Sequence, residues 1–407
     1  MIMEYAVRLP IILRTKNMLR IKTPRVVAIG ICSLAVALSL DIPILAEAFT
    51  LEQPTYSAKD TLSVGEESDA DAKACLTGLT WPAKDFQVGW LAAEEGKGDV
   101  VVHFPSPRPS GDEVNDRVTM EWYVARDNDG KPIKAPAVVV VHESGSGMTV
   151  GRLFAQGLRT KRLHALLIHL PYYGHRKGNK KRPVGQSIFK VMQQSVADVR
   201  RARDAVAALP LIDNKRIALQ GTSLGGFVSA TAAGIDQCYQ EVFILLAGGE
   251  LHEVIRNGAR EAAEIRKELE RAGITDDKLE QLIRVVEPTR IAHRLDPNHT
   301  WLYSGKFDKV VPMKSAYALA NAAKLEKTHH IQMLANHYSG IVYMPLILSH
   351  ISNEVLGLKS GKPGDSKIDN QTEGGTSQSV QEENPTIEEQ PDTQEKTPRA
   401  NEKTRVN

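Results

Sequence analysis

Residues 216–233, RIALQGTSLGGFVSATAA, constrain the fold more than any other stretch: a short apolar run, a glycine-framed serine and a small-residue run follow one another without a gap. Ile217, Ala218 and Leu219 read as a buried strand, and the segment from Leu224 reads as a helix. Between them Gly221-Thr222-Ser223-Leu224-Gly225 fits G-x-S-x-G, the pattern that holds a serine on a sharp strand-to-helix turn. A side chain two residues before or after the serine would crowd that turn. The glycines therefore leave Ser223 Oγ exposed at the carboxyl edge of a sheet. The helix that follows directs its first N–H groups to the same place, where developing negative charge is stabilised. Three fixed positions recur by chance in a chain of this length, so the weight rests on the strand before the serine and the helix after it.

The surrounding chain repeats that alternation. Residues 100–104 and 117–125 are β-branched and aromatic runs divided by a Pro/Ser/Gly stretch, which predicts two neighbouring antiparallel strands. In the second, Val118, Met120, Trp122 and Val124 alternate with polar residues, so one buried face is expected. Residues 137–141 form a continuous valine-rich run typical of a strand covered on both faces. Helices are expected over 151–162 and 187–209 and buried strands over 165–170 and 241–246. The pattern predicts an α/β fold with a mostly parallel, doubly wound sheet and its functional loops along one edge. Residues 250–290 are charged and helix-favouring, and they read as a helical insertion that caps that edge. Within it one helix is expected over 251–272 and a second over 275–286.

Two further strand ends complete a constellation. Residues 300–304 lead to Asp308, and 330–334 lead to His337. The order Ser223, Asp308, His337 is nucleophile, acid, base, each expected just past its own strand. A serine hydroxyl becomes a useful nucleophile once an imidazole takes its proton, and a carboxylate on the far ring nitrogen fixes the tautomer. Leu224 N–H is the first expected oxyanion donor. The second is sought in His142-Glu143-Ser144-Gly145-Ser146-Gly147, with Ser144 as first choice and Glu143 as alternative. Tyr172 and Tyr173 follow a strand where a substrate would sit and are candidate pocket residues, with a purely structural role as the other reading. The spacings of His142, His164, His169 and His175 match no common metal-ligand pattern, and this chemistry requires no cofactor.

From about residue 81 to 358 the chain resembles an α/β-hydrolase. The segments DNKRIALQGTSLGG, SGKFDKVVP and ANHYSG are similar to those of the dienelactone hydrolase and acetyl-xylan-esterase branch. The resemblance implies metal-free hydrolysis of esters or related acyl compounds, with Ser223 as nucleophile, Asp308 as acid, His337 as base and Leu224 N–H as an oxyanion donor. Some dienelactone hydrolases carry cysteine where this chain has Ser223, and many relatives have His-Gly where this chain reads His142-Glu143-Ser144.

Composition bounds the rest. The balance of 51 basic and 49 acidic residues carries no nucleic-acid signature. The apolar run 26–40, preceded by Arg8, Arg14, Lys16, Arg20, Lys22 and Arg25 and followed by Ala46-Glu47-Ala48, has signal-peptide form over 1–48. Its removal takes away those six basic residues with Glu4, Asp41 and Glu47, leaving 45 basic against 46 acidic. An exported protein is expected, membrane-anchored only if the segment is retained. Export would permit Cys75 and Cys238 to pair, although two separate thiols serve the sequence equally well. Residues 49–80 are polar and read as a lead-in segment, and 359–407 have too few apolar residues to order themselves. The expected activity is an exported serine esterase acting on a small-molecule or carbohydrate-linked ester. Acyltransfer or peptide cleavage by the same triad, or a non-catalytic binding protein of this fold, are the alternatives.

Overall fold

Ala135–Val141 is buried along its whole length, as a valine run demands, and the rest of the sheet is laid out around it. The computed structural model describes residues 55–179 and 182–358; the expected signal peptide over 1–48 and the polar tail lie outside them. Among the described residues ten strands make one sheet: β1 Thr55–Ala58, β2 Phe86–Ala92, β3 Val100–Pro105, β4 Arg117–Tyr123, β5 Ala135–Val141, β6 His164–Ile168, β7 Ile212–Thr222, β8 Val242–Leu245, β9 Thr300–Gly305 and β10 His330–Met333. Their spatial order is β1-β2-β3-β4-β6-β5-β7-β8-β9-β10. Strands β1 to β4 are antiparallel to their neighbours, as is the β4–β6 pair, and β6 through β10 run parallel. The helices are α1 Ala70–Thr77, α2 Glu113–Asp116, α3 Thr149–Thr160, α4 Ser187–Ala207, α5 Leu224–Asp236, α6 Leu251–Asn257, α7 Glu261–Arg271, α8 Asp276–Ile283, α9 Met313–Ala322 and α10 Met344–Leu356.

Strand order reverses at β5, which has β6 on one side and β7 on the other. The loops leaving β5 and β7 therefore sit side by side at the carboxyl edge, where such sheets bind ligands. The expected α/β fold, with a largely parallel sheet and helices between strands, is what forms.

Order begins earlier than the sequence suggests. Residues 55–80 were expected as a lead-in, yet they supply β1 and α1, and α1 buries Ala72, Cys75 and Leu76. Ion pairs and hydrogen bonds, which composition does not display, anchor this segment. Asp60 pairs with Arg201 at 2.6 Å and accepts the indole N–H of Trp81 at 2.7 Å. Thr61 donates its N–H and its hydroxyl to Asp204 at 2.9 and 2.7 Å. Arg200 and Arg201 are accordingly buried in α4 instead of facing solvent. The cysteines do not pair: Cys75 and Cys238 are both free.

Strand β4 also departs from expectation. Thr119, Glu121 and Tyr123 are buried as well as the apolar positions between them, so both faces of the strand are covered; α3 and the turn Gly174–Arg176 pack against it. Glu121 is fully buried yet ionised. Burial pushes its carboxyl up, but hydrogen bonds from His169 and Arg152 outweigh that and hold it at about 2.

The insertion is broken into three helices where two were expected. Gly258 ends α6, and a Cβ there would lie 2.4 Å from Val254 O and 2.5 Å from Val310 O. That close approach lets Ala259 N–H donate to Lys309 O at 2.8 Å, tying the insertion to the loop after β9. Thr275 caps α8 as the sequence suggests.

Candidate active site

Ser223 stands between β7 and α5 with φ 53° and ψ −116°, a conformation that costs a non-glycine residue about 1–3 kcal/mol. Tight neighbours hold it there. A Cβ on Gly221 would lie 2.2 Å from Gly225 O, and one on Gly225 would lie 2.2 Å from Val141 O. Only glycine at both positions lets β7, α5 and β5 close around the turn. Ser223 N–H donates to Leu245 O at 2.8 Å, and Gly226 N–H donates to Ser223 O at 2.8 Å.

Ser223 Oγ is 2.9 Å from His337 Nε2. His337 Nδ1 is 2.7 Å from Asp308 Oδ2, and the other carboxylate oxygen accepts the N–H groups of Val310 and Val311 at 2.8 and 2.9 Å. With Nδ1–H donated to a carboxylate so held, Nε2 carries the lone pair that faces the serine. The loops after β7, β9 and β10 thus bring together three residues far apart in sequence. The other histidines near strand starts are engaged elsewhere: His330 with Ser304, His329 with Pro297 O and His299 with Glu241.

The loop after β5 is pinned from several sides. His142 is buried, which pushes its imidazole down to about 3 and keeps it neutral. Its Nδ1 donates to Glu143 O at 2.5 Å and its Nε2 accepts Leu170 N–H at 3.1 Å. The Glu143 carboxylate accepts the N–H groups of Val150 and Gly151, both at 3.1 Å, capping α3. Arg152, paired with Glu121 at 2.6 Å, donates to Gly147 O at 2.6 Å. Among the described residues neither Leu224 N–H nor Ser144 N–H donates to another backbone or side-chain group. Both remain free to serve an oxyanion. Ser144 borders both cavities beside Ser223, whereas Glu143 borders one.

The two tyrosines part company. Tyr173 is buried and donates its hydroxyl to Ser144 O at 3.0 Å, so it supports the loop from behind. Tyr172 faces a different hollow, with Arg108, Ser110 and Ser187, away from Ser223. The structure thus does not place Tyr172 in the substrate pocket where the sequence put it; its backbone turns through the left-handed region there, at φ 67°. Sequence reasoning missed Glu261 and Tyr338. Tyr338 donates its hydroxyl to Glu261 at 2.7 Å, lies beneath the Arg260 guanidinium and packs edge-on to His337. The Asx turn at Asn336, whose side chain accepts the N–H groups of Tyr338 and Ser339, was the legible sign of a shaped loop there.

An acetyl xylan esterase from Paenibacillus sp. R4 superposes with a TM-score of 0.50 at 17% identity, over 72% of this chain and 96% of that one. The chain has the α/β-hydrolase fold. The chain also aligns with acetyl xylan esterase 1 from Thermoanaerobacterium sp. at a TM-score of 0.46 and 14% identity, over 72% of its own length and 96% of the other's. It aligns with a puromycin-hydrolyzing peptidase of Mycobacterium tuberculosis at 0.47 and 15%, over 67% of its own length and 46% of the other's. Residues 186–340 match the model of the prolyl oligopeptidase family, a range that contains Ser223, Asp308 and His337. No curated protein matches the chain at the level of sequence.

Proposed function

We propose that the protein is a serine hydrolase that cleaves a carboxylic ester through an acyl-serine intermediate. The observation that carries this reading is the unbroken hydrogen-bonded chain from Ser223 Oγ through His337 to Asp308, at 2.9 and 2.7 Å. In the proposed cycle His337 Nε2 takes the hydroxyl proton as Ser223 Oγ attacks the carbonyl carbon. Leu224 N–H and Ser144 N–H, with Glu143 N–H as the alternative, stabilise the oxyanion. The carbonyl carbon to alkoxy oxygen bond then breaks and the departing oxygen takes the proton from His337. Water, deprotonated by the same imidazole, releases the acid and restores the serine. Mainly aliphatic linings beside Ser223 support an ester over a carbohydrate-rich ligand, which needs more polar partners.

The test is turnover of p-nitrophenyl acetate by the wild type and by Ser223→Ala. The variant should lose on the order of 10⁴–10⁶ in kcat. Undiminished turnover would remove Ser223 from the chemistry. A peptidase reading is favoured by the prolyl oligopeptidase match, and it predicts Ser223-dependent cleavage of peptide p-nitroanilides in the same assay.

Export is part of the proposal. It rests on the apolar run 26–40 and the Ala46-Glu47-Ala48 site in the sequence. Among the described residues no helix is long and apolar enough to cross a membrane. Amino-terminal sequencing of cell-produced protein should begin near residue 49, and an intact Met1 on a cytoplasmic product would sink the idea.

A further inference from the structure

Two cavities meet at Ser223. The first, about 360 Å³, is bordered by His337, Tyr338 and Ile341. The second, about 380 Å³, runs beneath the helical insertion and is bordered by Leu224 and Phe227 on one wall and by Val254, Ile255 and Ile265 on the other, without His337. Ser144 and Ser223 border both, so an acyl carbon on Ser223 Oγ would sit where the two join.

Proton bookkeeping distinguishes them. The oxygen that leaves must receive the proton held on His337 Nε2, so the leaving group lies on the histidine side, in the first cavity. The acyl group then extends the other way, past the Leu224 N–H. The second cavity is far larger than an acetyl group requires. With a water occupying roughly 30 Å³ it has room for on the order of ten non-hydrogen atoms. Its depth is apolar, formed by Met192, Phe227 and Val286 besides the insertion residues. Its charged borders are Arg182, Glu264 and Glu268, which are exposed, and the half-buried Glu261, which accepts the Tyr338 hydroxyl; among the described residues no buried cation faces the interior to receive a carboxylate.

We infer that the cavity under the insertion is the acyl site, and that the substrate is an ester of a neutral, medium-chain aliphatic acid with its alcohol toward Tyr338 and Ile341. The inference rests on the serine hydrolase reading and adds the partition of the substrate. The full-length protein is assayed with p-nitrophenyl acetate, butyrate, hexanoate and octanoate, and separately with acetates of alcohols of increasing length. Burial of a methylene is worth about fourfold in binding, so kcat/KM should rise on the order of 10²-fold from acetate to hexanoate. Ile265→Trp, which fills the cavity, should lower the hexanoate to acetate ratio at least tenfold. Ile265→Ala, a second variant that enlarges it, should shift the optimum to a longer chain. A p-nitrophenyl ester of a dicarboxylic half-acid should be a worse substrate than its neutral counterpart of equal length.

Ser223-dependent turnover with a flat or falling acyl-length profile would overturn the acyl site while leaving the hydrolase reading in place. So would Ile265 variants that alter the dependence on the alcohol and not on the acid. Absence of turnover with every ester, or full activity in Ser223→Ala, would instead remove the hydrolase reading on which the inference stands.

Discussion

Ser223 is held at φ 53° by its neighbours, since nothing in its own side chain favours that region. The two flanking glycines, the N–H bond to Leu245 O and the first turn of α5 together over-determine the position. Asp308 is treated in the same way. Two backbone N–H groups take one of its oxygens, leaving the other for His337. On the proposed mechanism the carboxylate's work is to keep the proton on Nδ1. Asp308→Asn presents an amide in its place and favours the tautomer with the proton on Nε2. The expected result is a fall of about 10⁴ in kcat on a p-nitrophenyl ester. A loss below tenfold would show that the imidazole does not depend on this partner.

At the scale of elements, the insertion and the loop bearing Asp308 form one unit. Gly258 lets α6 come within contact of Val310, Ala259 N–H reaches Lys309 O, and Glu261 holds Tyr338 beside His337. The Glu287 carboxylate caps α6 by accepting the N–H groups of Glu250 and Leu251 at 3.0 and 2.7 Å. The insertion is therefore tied to the carboxyl-edge loops by the backbone bond from Ala259 to Lys309 and the side-chain bond from Tyr338 to Glu261. Their charged composition made them legible as helices and as an insertion. The break at Gly258 was not legible, because a glycine inside a helical pattern reads the same whether it bends the chain or merely weakens it.

At the scale of the whole molecule, stability depends on buried ionisable groups in a way that sets its response to acid. His142 and His164 are neutral in the fold, pushed by burial down to about 3 and about 4. The unfolded chain takes up these protons below the ordinary histidine value near 6.5, so the stabilisation is present above that pH and is lost as pH falls toward 3. Glu121, held at about 2, adds a loss that begins near the ordinary value of 4.5 and continues to about 2. Asp60 acts in the same direction. Burial pushes its carboxyl up, but the indole of Trp81 and the guanidinium of Arg201 outweigh it and hold the group below its usual value. Thermal unfolding should therefore show Tm falling steadily from about pH 6.5 downward, and a Tm constant to pH 4 would contradict the buried neutral histidines. Asp60→Ala should cost on the order of 3 kcal/mol at neutral pH, because it strands Arg201 in the core. Urea titration of the variant reads that loss directly.

What the sequence determined by itself was the local and the periodic: the turn at Ser223, the valine strand β5, the alternation that makes a parallel sheet, and the order in which Ser223, Asp308 and His337 follow their strands. Those features arise from steric and hydrophobic rules that act over a few residues. Only the tertiary structure decided which polar groups would be buried, since Glu121, Arg200 and Asp60 owe their places to Arg152, Asp236 and Arg201, partners tens of residues away. The same holds for the separation of Tyr172, which lines a different hollow, from Tyr173, which is bonded to Ser144 O, and for the order of residues 55–80. Pairing across the fold is a property of three-dimensional proximity, and a stretch poor in apolar residues carries no local mark of the ions that will anchor it.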